Sequence, residues 1–289
     1  AYKYKLKPEF SSISTIFEFE LKLKIMKLAI LLTATVKVQV ISGNFSVKER
    51  AVMYSSALRY YANKIGKKYP IVFLENSDYD LSELKKEFND KLDIEWIQLR
   101  PNEKLPFNPQ KGKSFNEYLM IKEGVLRSKK LKECTHFLKI TGRYAMVNIL
   151  TITREIEKRA NNKVFMGDIK DTRLYEMIGS KNYGHWGDSR FWVCQVEYYK
   201  SQMLECYLEM DDCVDGKWAE HYLLNMARRY KQDKRFIFRF RNQVLFNGIA
   251  GMRTSKDLTT GKFRQNSFSI KIKCQIRHLM RVLFPKFWF

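Results

Sequence analysis

The sequence predicts an α/β fold, a mostly parallel sheet with flanking helices, followed by a basic amphipathic helix at the carboxyl end. Three observations carry this reading. Short apolar runs alternate with helix-period segments from residue 28 to residue 166. Polar clusters sit where the apolar runs stop. The 289 residues are 45% hydrophobic and 14% aromatic, ample for the core of one large domain.

The elements follow in order. Leu28 to Val36 reads as a buried strand, too short for a membrane span and without the cleavage site of a signal peptide. Val47 to Lys64 carries Val47, Ala51, Tyr54, Leu58 and Tyr61 at helical spacing. Pro70 to Leu74 is a second strand. Asp80 can cap a helix over Leu81 to Phe88, so Asp78-Tyr-Asp80 reads as a cap and not as a metal motif. Ile94 to Leu99 is a third strand. Arg100 to Lys113 holds Pro101, Pro106, Pro109 and Gly112 and reads as a loop. A helix over Phe115 to Arg127 and a strand over Thr135 to Ile140 follow. Ile149 to Ala160 reads as a helix and Val164 to Met166 as a strand.

The later part is less regular. Phe191 to Gln195 reads as a strand, Glu197 to Leu208 and Trp218 to Tyr230 as helices. Phe236 to Phe240 places Phe at every second position, as in a strand with one buried face.

The net charge is +22, from 53 Lys+Arg against 31 Asp+Glu. Such a balance points to a polyanionic partner, whether nucleic acid, anionic membrane or a phosphate-bearing substrate. Five cysteines without a Cys-x-x-Cys pair suggest neither a disulfide framework nor a zinc site, and fit a reducing cytoplasm.

Open sheets bind ligands beyond the carboxyl ends of their strands. The polar groups placed there are Thr33 and Thr35, Glu75-Asn76-Ser77, and Lys139 to Tyr144. A wider pattern contains them. Leu31-Leu-Thr-Ala-Thr35, Arg50, Tyr54, Glu75-Asn-Ser77, Lys111-Gly112 with Glu117, and Lys139-Ile-Thr-Gly-Arg-Tyr144 with Asn148 come first. Asp188-Ser-Arg-Phe191, Glu220-His221 and Gly248-Ile-Ala-Gly251 come after. This pattern resembles bacterial glycosyltransferase-like proteins of capsule and lipopolysaccharide gene clusters, within the broad GT-A class. The resemblance covers roughly residues 26 to 255, and its most specific block is Lys139 to Tyr144.

The resemblance implies a hexosyltransferase-like enzyme with a nucleotide-sugar half over 26–166 and an acceptor half over 167–255. Thr33, Ala34 and Thr35 would then meet the nucleobase or ribose. Glu75, Asn76 and Ser77 would do the same, or merely turn the chain. GT-A enzymes usually hold a divalent ion on an Asp-x-Asp after the fourth strand. Here that slot holds Lys139 to Tyr144, without a carboxylate, which puts metal dependence in doubt. Arg143 and Lys139, helped by Arg50 and Lys111, are expected to neutralise the diphosphate directly, with Gly142 letting the backbone approach. Glu220 is the expected general base, with Asp188 and Asp212 as rivals. Arg190 and His221 are expected on the acceptor, and His185 beside Trp186 either stacks on a sugar or packs.

No acidic residue follows Asp257, while Ile272, Ile276, Leu279, Met280 and Leu283 recur at helical spacing beside Lys273, Arg277 and Arg281. Residues 256–289 thus read as a tail that lies on an anionic membrane surface and brings the enzyme to a glycan or lipid-linked acceptor. The expected location is cytoplasmic, peripheral on the inner face of the membrane. Residues 1–25 read as an extension outside the fold. Two alternatives stay open. One is a basic nucleic-acid-binding protein, although no recognition signature for nucleic acid is present. The other is a sugar-phosphate nucleotidyltransferase, although Val36 to Gly43 lacks a glycine-rich phosphate loop with an arginine.

Overall fold

The computed structural model describes residues 26–38, 45–99, 103–173, 184–248 and 268–284. The expected extension 1–25, residues 39–43 of the Val36 to Gly43 segment, Gly251 and the aromatic end after Phe284 lie outside them.

Among the described residues are eleven strands and seven α-helices of four residues or more. The strands are β1 Leu28–Ala34, β2 Ile71–Glu75, β3 Ile94–Gln98, β4 His136–Thr141, β5 Ala145–Met146, β6 Phe165–Met166, β7 Ile169–Asp171, β8 His185–Gly187, β9 Phe191–Gln195, β10 Phe236–Ile237 and β11 Phe246–Asn247. The helices are α1 Val47–Lys64, α2 Ser82–Phe88, α3 Gly112–Arg127, α4 Lys129–Lys132, α5 Ile149–Arg159, α6 Ala219–Arg229 and α7 Phe268–Leu283.

Seven strands form the main sheet in the order β10-β6-β9-β4-β1-β2-β3. Pairing is parallel throughout except at β9, which runs antiparallel to both β4 and β6. Leu31 of β1 lies opposite Val72 of β2 and Lys139 of β4.

The sheet is buried on both faces, which is why its central strands read as continuous apolar runs. On one face Leu28, Ile30 and Leu32 pack with Tyr54, Tyr61, Phe88 and Ile156. On the other Ala29, Leu31 and Phe137 pack with Tyr118, Ile121, Trp192 and Leu223. Alternation along a strand therefore decides which layer a side chain meets. Lys139 and Thr141 share the Phe137 side of β4, toward α3.

Three elements depart from the expected reading. Gly112 and Lys113 begin α3 and do not end a loop. Asp212 Oδ2 accepts the amides of Lys113 at 2.6 Å and Ser114 at 3.1 Å, so a residue 99 positions from Lys113 caps this helix. Gly112 has φ +81°, and a Cβ there would lie 2.5 Å from the Asp212 Cβ. The expected helix over 197–208 is a helical turn at Val196–Tyr198, a π turn at Tyr199–Met203 and a 3-10 turn at Cys206–Glu209. The π turn accompanies the stacking of Tyr199 on Trp192 at 6.1 Å. Of Phe236 to Phe240 only Phe236–Ile237 is strand. All three phenylalanines are nevertheless buried, because the chain continues along residues 167 and 169 through the Ile237 and Phe238 carbonyls.

Candidate active site

The site lies at the carboxyl ends of β1, β2 and β4. A capping box starts α1, with Ser46 Oγ accepting the Glu49 amide and Glu49 Oε2 accepting the Ser46 amide. That start turns Arg50 and Tyr54 inward, where both are buried. Arg50 Nε and Nη2 donate to the Thr35 carbonyl at 2.8 and 2.5 Å, and the Thr35 amide donates to Tyr54 Oη at 2.9 Å. Thr35 Oγ1 donates to Asn76 Oδ1 at 2.6 Å.

Glu75 and Ser77 brace the turn. Glu75 Oε1 accepts the Ser77 amide, the Ser77 hydroxyl and the Val36 amide, and Ser77 Oγ accepts the amides of Val36 and Lys37. Both side chains are buried, as is Ala34. Glu75 and Ser77 thus shape the loop after β1, while half-buried Thr35 and Asn76 remain at its surface.

Lys139 corrects the expectation that it grips a phosphate. Its side chain is fully buried. Its ammonium lies 2.8 Å from Glu117 Oε1 and donates to the Ser189 carbonyl at 2.7 Å and to Thr141 Oγ1 at 3.1 Å. Thr33 Oγ1 also donates to Glu117 Oε1, at 2.6 Å. Burial pushes the Glu117 carboxyl up, but Lys139 and the Thr33 hydroxyl outweigh it and hold the group below the usual glutamate range. The Lys139 charge is spent inside the protein.

Gly142 follows, and its amide donates to the Thr33 carbonyl at 2.8 Å. A Cβ at this position would sit 2.8 Å from that same oxygen, so only glycine lets the turn close on β1. The turn delivers Arg143. Its guanidinium lies 4.6 Å from the Tyr144 ring centre, and Nη2 donates to the Tyr144 hydroxyl at 2.6 Å. Arg143 Nε is buried without a partner among the described residues.

Lys111, expected as a helper, stands over an aromatic ring. Its ammonium lies 4.8 Å from the Phe115 ring centre. Lys113, which the sequence reading passed over, is within electrostatic reach of Arg143 and Arg50. Partial burial of an otherwise exposed side chain, and then Arg143, pull its ammonium below the ordinary lysine range against Asp212; Arg50 adds to the fall. Among the described residues neither Arg50 nor Arg143 forms an ion pair with a carboxylate.

The acceptor-side residues gather next to this cluster. Asp188 takes the Arg190 guanidinium in a bidentate pair at 2.8 and 2.5 Å, which positions Arg190. Asp212, the other rival base, caps α3. Glu220, at the start of α6, accepts from Ser189 Oγ at 2.7 Å. Burial raises the Glu220 carboxyl above the ordinary glutamate range, the Ser189 bond opposes, and Asp188 and Asp212 raise it further. Ser189 thus joins Glu220 through its hydroxyl and Lys139 through its carbonyl. His221 lies 5.4 Å from Trp218 and 6.3 Å from Trp186, an aromatic group beside Glu220. His185 instead bonds Asp171 at 2.5 Å, and Arg228 also holds that carboxylate.

The carboxylates here do not fit a divalent ion. Glu117 is taken by Lys139, Asp188 by Arg190 and Oδ2 of Asp212 by helix amides, and Arg143 occupies the turn after β4. Among the described residues no three His, Cys, Asp or Glu side chains gather as a metal set.

A cavity of about 370 Å³ lies at the opposite edge of the sheet. Its lining matches Lys27, Lys68 and Lys130 with Asp93, Glu133 and Glu157, so it holds no excess charge for an anion. The Arg50 and Arg143 guanidiniums, with the unpartnered Arg143 Nε, make the carboxyl edge the candidate instead.

Comparison with protein families and with curated proteins found no match. Among solved structures the chain is similar to mouse xyloside xylosyltransferase 1, with 10% identity over 74% of this chain and 85% of that one and a TM-score of 0.43. It is similar to the galactosyltransferase LgtC in complex with donor and acceptor sugar analogs, with 11% identity over 68% and 69% and a TM-score of 0.41. A cytidylyltransferase from Leptospira borgpetersenii matches at 12% identity over 80% and 82%, also with a TM-score of 0.41. Likenesses this slight decide neither family nor activity, so the function rests on the site.

Proposed function

We propose that the protein is a glycosyltransferase that moves a sugar from a nucleotide-sugar donor to a hydroxyl of a glycan or lipid-linked acceptor. The observation that carries this reading is the group of Arg50, Lys113 and Arg143 at the carboxyl edge, with neither arginine answered by a carboxylate among the described residues. Such a group suits a diphosphate, whose charge grows as the glycosidic bond breaks.

In this reading Thr35 and Asn76 meet the nucleoside. Arg143, with Arg50 and Lys113, holds the diphosphate. Glu220 takes the proton of the acceptor hydroxyl as that oxygen attacks the anomeric carbon. The bond from that carbon to the diphosphate oxygen breaks, and its electron pair leaves on the diphosphate. Arg190, held by Asp188, and the Trp186, Trp218 and His221 rings orient the acceptor. Residues 26–166 serve the donor and 167–255 the acceptor. The resemblance of the motif residues to capsule and lipopolysaccharide enzymes supports a surface polysaccharide as product and a cytoplasmic site of action. No nucleic acid takes part.

Incubating the protein with UDP-, GDP-, CMP- and TDP-sugars tests the reading. Release of free nucleotide from one of them is expected. Release of pyrophosphate from a nucleoside triphosphate and a sugar phosphate would identify a nucleotidyltransferase instead. Stabilisation by single-stranded DNA alone would end both readings.

A further inference from the structure

α7 docks the wrong way round for a helix of a water-soluble surface. Its one fully buried side chain among the described positions is Arg281, 6% exposed. Arg281 donates to the Phe240 carbonyl at 2.9 Å and pairs with Asp168 at 3.3 Å, and Arg277 donates to Gln243 at 2.6 Å. The apolar side chains face outward, with Phe268 77%, Ile276 55%, Leu279 56% and Leu283 59% exposed. At about 100° per residue, Phe268, Ile272, Ile276, Leu279 and Leu283 fall within about 80° of arc. Lys271 and Lys273 flank that stripe on its two sides, both exposed, while Arg277 and Arg281 lie opposite.

A helix normally buries its apolar stripe against the core and leaves its charges in water. Here the polar face is tied to the protein and the apolar stripe is left over. No acidic residue follows Asp257, so the charged side chains that α7 itself carries are cationic. Among the described residues no helix is long and apolar enough to cross a membrane. A stripe of this width with lysines at its borders matches the interface of an anionic bilayer, where apolar side chains enter the acyl boundary and lysines meet headgroup phosphates.

We infer that α7 is a preformed lipid-docking face, seated on an anionic membrane leaflet through Phe268, Ile272, Ile276, Leu279 and Leu283, with Lys271 and Lys273 on the headgroups. The arginines of the helix face the protein and hold it in place; this differs from the sequence expectation that Lys273, Arg277 and Arg281 act together toward lipid. The docking face also has a fixed relation to the candidate site. Arg281 holds Asp168, the Asp168 carbonyl accepts the Asp188 amide at 3.0 Å, and Asp188 holds Arg190. The membrane is thereby set on the acceptor side. The inference stands on α7 itself, and lipid binding needs no donor, so it can fail or hold separately from the glycosyltransferase reading.

The test is cosedimentation of the full chain with vesicles of phosphatidylcholine alone or with phosphatidylglycerol added. Binding to the anionic vesicles is expected, falling as salt is raised. Ile276→Asp with Leu279→Asp, at exposed positions that leave the docked face intact, should lower the partition coefficient at least about tenfold. Lys271→Glu with Lys273→Glu should remove the preference for anionic lipid. Circular dichroism and sedimentation equilibrium of the same variants check fold and mass. Equal binding by wild type and the Ile276→Asp/Leu279→Asp variant would overturn the inference. So would equal binding to both vesicle types, or a dimer broken by these substitutions without vesicle binding.

Discussion

Lys139 Nζ lies 2.8 Å from Glu117 Oε1, and this buried pair joins β4 to α3 beneath the turn that carries Arg143. Both charges are met inside the protein, and the pair braces the turn on which Arg143 stands.

Its loss should therefore read out as stability. Lys139→Met leaves Glu117 without its cation, a change of about 3 kcal/mol, the low end for a broken buried pair because Glu117 is partly exposed. Urea unfolding should show it. Because Glu117 is held below the ordinary carboxylate range, this contribution is present above that range and is lost as pH falls through the lowered value. Lys139→Met should therefore be most costly at neutral pH and nearly harmless in acid. A variant as stable as wild type at neutral pH would refute the role given to Lys139.

Gly142→Ala tests the turn. The added methyl meets the Thr33 carbonyl at 2.8 Å, and overpacking of this kind costs about 1–3 kcal/mol. Donor affinity should fall with stability, because the same turn positions Arg143. Thermal unfolding with and without donor separates the two effects; a loss of stability with unchanged donor affinity would detach the turn from the site.

Glu220 should give the acid limb of the pH–rate profile. Burial, with Asp188 and Asp212, raises its carboxyl, so the working base form is lost as pH falls through a value above the ordinary glutamate value of about 4.3. Glu220→Gln should remove the limb together with most of kcat while leaving the donor Kd in place. An unchanged acid limb in that variant would pass the base role to another group.

Chelation should change donor affinity little. Glu117, Asp188 and one oxygen of Asp212 are already engaged, and in the proposed reading guanidinium and ammonium groups meet the phosphate charge. Titrating donor with and without EDTA decides this, and a strict need for manganese would count against it.

Much of this fold was legible because its sheet is buried on both faces. Leu28 to Ala34 and Ile71 to Leu74 have no polar face to interrupt them, so they read as strands bounded by polar clusters. The site was legible as a set of strand ends and not as roles. A lysine in a buried strand demands an opposite charge, and Glu117 was already in the motif, but one-dimensional spacing does not show that they face each other. Lys113 was hidden because the prolines before it suggested a loop, while the cap that starts α3 there comes from Asp212. β5, β7, β8 and β11 have two or three residues each, too few for any period to show. The orientation of α7 was hidden for a different reason: its pattern is the same whichever face docks, and only the Arg281–Asp168 contact decides.

The most direct test of the account is calorimetric titration of wild type and Arg143→Ala with the nucleotide sugar that the hydrolysis panel selects. A charged hydrogen bond of about 1.5–3 kcal/mol corresponds to a Kd raised about 10- to 150-fold in Arg143→Ala, with its unfolding curve unchanged. Arg143→Lys should recover part of the loss, since it restores the charge without the fork. Equal affinity in wild type and Arg143→Ala, or no nucleotide bound by either, would contradict the claim that this cluster holds a diphosphate.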